Sequence, residues 1–82
     1  MPTEPSHADR GFRIYSSNSL GAAIRHYRRA AGLSQAELAG RVGVHRSYLS
    51  DLERGKETEQ VRRILHVLKE LGVRITIDEA DW

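Results

Sequence analysis

The chain has 82 residues and no cysteine, with 13 lysine and arginine residues against 11 aspartate and glutamate residues. This length suffices for one small domain with a modest core, and the lack of cysteine excludes disulfide bonds and thiolate metal sites. No apolar run is long enough to span a membrane and no apolar signal segment stands at the amino terminus, so we expect a cytoplasmic protein.

Charge and motif content point away from enzymes and towards nucleic acid. Basic side chains outnumber acidic ones between residues 25 and 63, whereas residues 78–82 contain acids and no base, which suits a nucleic-acid face in one place and another partner elsewhere. We find no nucleophile motif and no glycine-rich phosphate loop, and the histidines have no metal-ligand spacing. We therefore predict a non-enzyme that needs neither metal nor cofactor.

Residues 1–11 hold both prolines and show no hydrophobic periodicity, which predicts a disordered arm. The alternative, an arm that enters the minor groove, would depend on Arg10 and Arg13. Residues 12–15 alternate weakly and favour a short strand, and Ser16 is placed as the N-cap of a first helix over about residues 17–31. Its buried stripe is predicted to contain Leu20, Ala23, Ile24, Tyr27 and Ala31.

Residues 34–55 predict two short helices joined by a tight turn. Ser34 and Glu37 have the spacing of a capping box at the start of the first of them, and Gly43 is placed to end it in a left-handed conformation. Small Ala39 would let the two backbones approach closely. The apolar positions are Leu38 and Val42 in one helix and Val44, Leu49 and Leu52 in the other. Two short helices that cross sharply form a helix-turn-helix, whose second helix enters the major groove.

A fourth helix follows Thr58, and Gly72 ends it. Its apolar stripe, Val61, Ile64, Leu65, Leu68 and Leu71, is expected to close the core against the first helix. In residues 73–78, Val73, Ile75 and Ile77 then alternate with polar residues, as in a half-buried strand. This strand needs a partner: residues 12–15, the same strand of a second copy, or both. We favour the second copy, which gives a two-fold homodimer.

Residues 35–54 resemble the helix-turn-helix of the lambda-repressor/Cro (Xre-type) family at Gln35, Leu38, Ala39, Val42, Gly43, Val44, Leu49 and Leu52, and residues 52–55 resemble its usual ending. The resemblance implies an all-α bundle of about four helices, with a DNA-binding domain at residues 12–72, a dimerisation strand at 73–78 and an acidic tail at 79–82. It also implies a structural ion pair between Arg28 and Glu53.

Double-stranded DNA with a palindromic operator is the expected partner. The resemblance implies base contacts at His45, Arg46 and Ser47, with Arg46 suited to guanine, and a further base contact is predicted at Asp51. Phosphate contacts are predicted at Gln35, Arg41, Tyr48, Ser50, Arg54 and Lys56. Three side chains have alternatives: Ser47 suits base or phosphate, Tyr48 suits packing or phosphate, and Asp51 suits a cytosine amine, orientation of Arg46 or repulsion of phosphate.

The wider layout narrows the resemblance. The chain resembles HipB-like antitoxins of type II toxin–antitoxin systems in three features. These are the Ile-Tyr-Ser sequence before the first helix at residues 14–16, the passage of the fourth helix through Gly72 into a strand, and the final Trp82. This implies a repressor of its own operon that neutralises a HipA-like Ser/Thr kinase toxin. Trp82 is interpreted as a partner anchor, as a loose tail residue or as a tryptophan folded back on its own domain. The alternatives are a solitary phage-like or controller-type repressor, and an interaction inhibitor whose DNA contact is secondary.

Overall fold

The computed structural model describes residues 11–80, which form four helices and a two-stranded antiparallel sheet. The elements are β1 (Phe12–Ile14), α1 (Ser17–Ala30), α2 (Gln35–Val42), α3 (Arg46–Glu53), α4 (Glu59–Glu70) and β2 (Ile75–Ile77). The predicted class, a four-helix bundle with a short C-terminal strand, is confirmed. Residues 1–10 of the predicted arm, together with Asp81 and Trp82, lie outside the described residues.

The first helix begins at its predicted cap. Ser16 Oγ accepts from the Ser19 backbone N–H at 3.3 Å, and Ser19 Oγ accepts from the Ser16 N–H at 2.9 Å. These reciprocal bonds satisfy two amides that a helix start leaves without partners. The carboxyl end comes one residue early, at Ala30, so Ala31 is an exposed C-cap residue rather than part of the buried stripe.

The strand at the carboxyl end pairs with β1 of the same chain. Phe12 lies opposite Ile77 and Ile14 opposite Ile75, which is one of the partners considered above. Val73, predicted to belong to the strand, lies before it and is 52% exposed. The reason is local: the Val73 N–H donates to the Leu68 carbonyl at 3.0 Å, in the turn that ends α4. Pairing with a second copy would use the opposite edge of β2 and stays a prediction.

Aromatic rings attach the sheet to α1. The Phe12 ring lies 5.0 Å from that of His26 and 5.7 Å from that of Tyr27, between centroids, in tilted and edge-on geometry. Such arrangements are favourable between rings. Just before β2, the Arg74 guanidinium lies 5.9 Å from the Tyr15 ring centroid, within the range of a cation–π contact.

The fully buried core of the described residues is small. Its apolar members are Ile14, Ala23, Ala39 and Leu49, which come from β1, α1, α2 and α3. Two of the four are alanines, so close backbone approach, rather than large side chains, brings α1 and α2 onto α3. The predicted role of Ala39 as a small residue at the helix-turn-helix crossing agrees with this burial.

Helix α4 contacts the core with only part of its apolar stripe. Val61, Leu65 and Leu68 are half-buried, whereas Ile64, Val67 and Leu71 are exposed, and α4 holds no fully buried residue. The expectation that the whole stripe closes the core is therefore wrong. The stripe is wider than one contact face of a helix, and the outer half remains open. Val42 and Val44 are also exposed, at 60% and 38%, against the expectation of inward packing.

No helix formed by residues 11–80 combines the length and the apolar character required to cross a membrane.

Candidate nucleic-acid interface

Helices α2 and α3 form the predicted helix-turn-helix. Ser34 Oγ accepts from the Glu37 N–H at 3.0 Å, and Glu37 Oε1 accepts from the Ser34 N–H at 2.8 Å, so the capping box is complete. The hydrogen bond from the Ser34 backbone N–H, followed by the interaction with the Ser34 side chain, holds the pKa of Glu37 below its ordinary value. Gly43 ends α2 with φ +77°, a conformation that costs glycine least, and its N–H donates to the Ala39 carbonyl at 2.9 Å.

The amino end of α3 presents a continuous exposed surface. His45 is the N-cap residue but its side chain makes no capping bond, in keeping with the weak capping ability of histidine relative to Ser or Thr. The next buried side chain is Leu49, which anchors α3 in the core. The exposed residues before it are His45, Arg46, Ser47 and Tyr48. All four were predicted to contact DNA, and Tyr48 is 55% exposed, which favours a contact outside the core over packing.

A buried polar network joins the first three helices. Arg28 Nε and Nη2 donate to the two carboxylate oxygens of Glu53 at 2.6 and 2.9 Å, and the side chains are only 9% and 3% exposed. Arg28 Nη1 also donates to the Leu33 carbonyl at 2.7 Å. The Arg28 hydrogen bonds lower the pKa of Glu53 against the opposing effect of its burial. The Glu53 carboxylate raises the pKa of Arg28 in turn.

Gln35 extends this network to the exposed surface. Its Nε2 donates to Glu53 Oε1 at 3.0 Å, and its Oε1 accepts from Arg46 Nη1 at 3.3 Å. The side-chain amide predicted to bind a phosphate is thus engaged at both ends. Its oxygen instead orients Arg46, the side chain predicted to read guanine. Because Gln35 is the first residue of α2, the amino end of that helix still faces outward with the N–H groups that suit a phosphate.

The Asp51 carboxylate forms ion pairs with two basic side chains, Arg54 and Lys56, that were predicted to contact phosphate. Its Oδ1 accepts from Arg54 Nη2 at 2.5 Å, and its Oδ2 accepts from Lys56 Nζ at 3.4 Å. The Arg54 hydrogen bond is the main cause that lowers the pKa of Asp51. Of the roles considered for Asp51, orientation of a neighbouring cation applies, but to Arg54 and Lys56 rather than to Arg46.

The other residues predicted to contact phosphate or to form the dimer strand lie on α2, α3 and β2. Arg41 is exposed in the last turn of α2, and Ser50 is half-buried on α3. Ile75 and Ile77 are half-buried in β2. Residues 11–80 contain no group of three or more His, Asp or Glu side chains that could hold a metal ion.

One residue that shapes the site escaped the sequence reasoning. A Cβ on Gly21 of α1 would overlap the carbonyl oxygen of Leu52 and lie 2.8 Å from that of Glu53. Gly21 is therefore where the backbones of α1 and α3 touch, and it sets the depth at which α3 sits. A glycine inside a helical apolar pattern signals such close packing, and that signal was present here.

Comparison with known proteins agrees with this geometry. A family model described as a helix-turn-helix domain matches residues 19–75. An uncharacterized HTH-type transcriptional regulator, y4mF of Sinorhizobium fredii, is 43% identical over 65 residues, which cover 79% of this chain and 86% of that protein.

Two further relatives have more specific names. HTH-type transcriptional regulator SinR of Bacillus subtilis is 35% identical over 63 residues, which cover 73% of this chain but 57% of SinR. Antitoxin HipB of Escherichia coli K12 is 26% identical over 68 residues, which cover 83% of this chain and 77% of HipB. No solved structure gave a significant match.

Proposed function

The chain belongs to the helix-turn-helix domain family of transcriptional regulators, and from this we propose that it is a sequence-specific repressor that binds a palindromic operator as a homodimer. The observation that carries the proposal is the exposed amino end of α3, held in place by the buried Arg28–Glu53 pair. An exposed helix end fixed on a rigid support is what major-groove recognition requires.

Base reading is assigned to His45, Arg46 and Ser47, with Asp51 in a supporting role. Arg46 is the principal reader, because a guanidinium can bond O6 and N7 of guanine together and the hydrogen bond that Arg46 donates to Gln35 Oε1 restricts its orientation beforehand. Side chains fixed before binding lose less conformational freedom on forming the complex. Asp51 contributes by holding Arg54 and Lys56 near the backbone.

Phosphate contacts are assigned to Gln35, Arg41, Tyr48, Ser50, Arg54 and Lys56. In this proposal Gln35 binds through the helix end rather than through its side-chain amide, which the network already uses. The cations at residues 41, 54 and 56 contribute to the salt-dependent part of the affinity.

The dimer is supported by two surfaces that a single chain leaves uncovered. One is the free edge of β2, and the other is the outer face of α4, formed by Ile64, Val67 and the C-cap residue Leu71. Exposed apolar side chains grouped in this way are typical of association sites. A two-fold dimer would set two copies of α3 about one duplex turn, ~34 Å, apart.

We further propose that the protein represses its own operon and acts as the antitoxin of a HipA-like Ser/Thr kinase toxin. The support is the similarity to antitoxin HipB over most of both chains. A solitary repressor without a toxin is the second candidate. It is favoured by the higher identity to regulators whose names include no toxin partner.

Two measurements test these proposals. Footprinting on the DNA upstream of the gene should reveal protection of two half-sites about one helical turn apart, and uniform weak binding without protection would contradict sequence-specific repression. Native purification with the neighbouring gene in place should recover a stoichiometric kinase-like partner, whereas a homodimer that binds the operator alone would establish the solitary repressor.

A further inference from the structure

A cleft of about 380 Å³ lies where α1 meets the helix-turn-helix. It is lined by Arg25, Arg28, Arg29, Gln35, Ser50, Glu53 and Arg54. This basic cleft combines three residues already assigned to phosphate contact, Gln35, Ser50 and Arg54, with two arginines of α1 that have no assigned role, Arg25 and Arg29.

The charges in the basic cleft do not balance. Its one carboxylate, Glu53, is bound by Arg28 through two hydrogen bonds. Arg54 is paired with Asp51. No ion pair within residues 11–80 involves Arg25 or Arg29. The charge of Arg25 also helps to lower the pKa of Glu53, after the larger effect of the Arg28 hydrogen bonds. Two positive charges at the mouth of the cleft are therefore uncompensated.

The spacing of these two arginines places them together. Residues four apart lie on the same face of a helix, and like charges at this spacing destabilise the helix. A basic residue in the last turn, such as Arg29, is favoured by the helix dipole. Arg25 lies more than a turn further in, where this benefit has faded. An anion bound between the two side chains would remove their repulsion.

The position of the cleft identifies the anion. It opens beside Gln35, at the amino end of α2, and beside Ser50 and Arg54, which are the residues that face the DNA backbone in the proposed complex. Each strand of a duplex carries one phosphate per ~3.4 Å of helix axis, so a strand that contacts these residues continues past them.

We propose that Arg25 and Arg29 bind the phosphodiester backbone of the operator beside the helix-turn-helix, so that α1 forms part of the DNA interface. The inference rests on the proposed DNA-binding function. It assigns to these arginines a sequence-independent contact that adds affinity and leaves base preference unchanged.

The test compares two charge-matched double variants of the full chain, Arg25→Gln/Arg29→Gln and Arg62→Gln/Arg63→Gln. The second pair is exposed on α4, outside the cleft, and removes the same net charge. The slope of the logarithm of operator affinity against the logarithm of salt concentration should decrease in magnitude by about 1.8 in the α1 variant, or 0.9 per lost phosphate contact. It should stay unchanged in the α4 variant, and the preference for operator over mismatched duplex should stay unchanged in both.

A wild-type slope in the α1 variant, or equal losses in the two variants, would overturn this assignment while leaving the DNA-binding proposal intact. Failure of the wild-type protein to bind any duplex would overturn both. The variant Arg25→Lys/Arg29→Lys guards against a folding artefact: it keeps both charges and should restore the slope, since a lysine contacts phosphate as a point charge. Failure of the lysine variant to restore it, with unchanged circular dichroism, would also reject the phosphate contact.

Discussion

Arg28 Nε lies 2.6 Å from Glu53 Oε2, and this buried ion pair ties α3 to α1. The two residues are 25 positions apart, and each also bonds a third partner: the Leu33 carbonyl for Arg28 and Gln35 for Glu53. The pair therefore fixes α1, the α1–α2 connection, α2 and α3 relative to one another. Through Gln35 it also reaches Arg46, so the support of the fold and the orientation of the predicted base reader form one network.

Replacement of Glu53 by Gln should destabilise the protein because it leaves the Arg28 guanidinium buried without a compensating charge. Removal of one partner from a buried ion pair costs several kcal/mol, and we expect roughly 3 kcal/mol here because the glutamine amide keeps part of the hydrogen bonding. Urea unfolding monitored by circular dichroism measures the change. A control, Glu59→Gln, breaks only exposed pairs with Arg62 and Arg63 and should change stability by less than about 1 kcal/mol. Equal losses in the two variants would argue against a special role for the buried pair.

Acid should remove the contribution of Glu53. Its pKa is lowered in the folded protein, chiefly by the Arg28 hydrogen bonds, so the folded state favours the ionised carboxylate. The stabilisation is therefore complete above the unfolded-state pKa of about 4.3 and is lost as the pH falls below that value through the lower folded pKa. Because Glu37 and Asp51 also have lowered pKa values, the informative quantity is the stability difference between wild type and Glu53→Gln. That difference should be constant near neutrality and shrink below about pH 4, and a difference independent of pH would refute the assignment.

Gly21 should not tolerate the smallest possible side chain. In an ordinary helix interior Gly→Ala stabilises by roughly 0.5–1 kcal/mol, but at position 21 the new methyl would meet the backbone carbonyls of Leu52 and Glu53, which cannot rotate away. We expect Gly21→Ala to cost about 1–3 kcal/mol, as overpacking does, and to weaken operator binding by displacing α3. Gly40→Ala is the matched control, because a methyl there meets no atom within 4 Å and should stabilise α2. Stabilisation by both changes would show that α1 and α3 do not touch at Gly21.

Local signals predicted the elements and caps well because the responsible groups are close in sequence. Ser16, Ser34 and Thr58 each cap the helix predicted to follow them. The predictions that failed depend on which surface covers a residue. Leu71 continues an apolar period of α4 without a neighbour to bury it, and a helical stripe does not specify how much of its width the core will use.

The residues of the candidate site also differ in whether they could be predicted from the sequence. The exposed residues at the start of α3 follow from helical periodicity, and the Arg28–Glu53 partnership followed from family resemblance. The two hydrogen bonds of the Gln35 side chain could not be predicted from either source. They join Gln35 to Glu53, 18 positions away, and to Arg46, 11 positions away. The pairing of Asp51 with Arg54 was within reach of sequence reasoning, since residues three apart on a helix are neighbours.

Arg46→Ala should relax specificity rather than abolish binding. Loss of a bidentate contact to guanine costs about 1–3 kcal/mol of discrimination at one base pair of each half-site. Titration of operators substituted singly at each position would locate that base pair by fluorescence anisotropy. Arg41→Ala serves as the comparison, because a lost phosphate contact should weaken all sequences alike and reduce the salt slope by about one unit. Full retention of operator preference by Arg46→Ala would remove Arg46 from the base readers.

Leu71→Lys should convert the proposed dimer to a monomer. Leu71 is 69% exposed on the outer face of α4 beside Ile64 and Val67, so a lysine there disturbs nothing in a single chain but would place a charge in an apolar interface. His66→Lys adds the same kind of charge to an exposed position on the other side of α4, near Glu70, and should remain dimeric. Sedimentation equilibrium distinguishes the two outcomes, and circular dichroism should be unchanged in both variants.

Because a monomer can occupy only one half-site, the loss of dimer should also reduce operator affinity while leaving binding to an isolated half-site unaffected. A Leu71→Lys protein that still sediments as a dimer would place the association surface elsewhere, with the free edge of β2 as the remaining candidate.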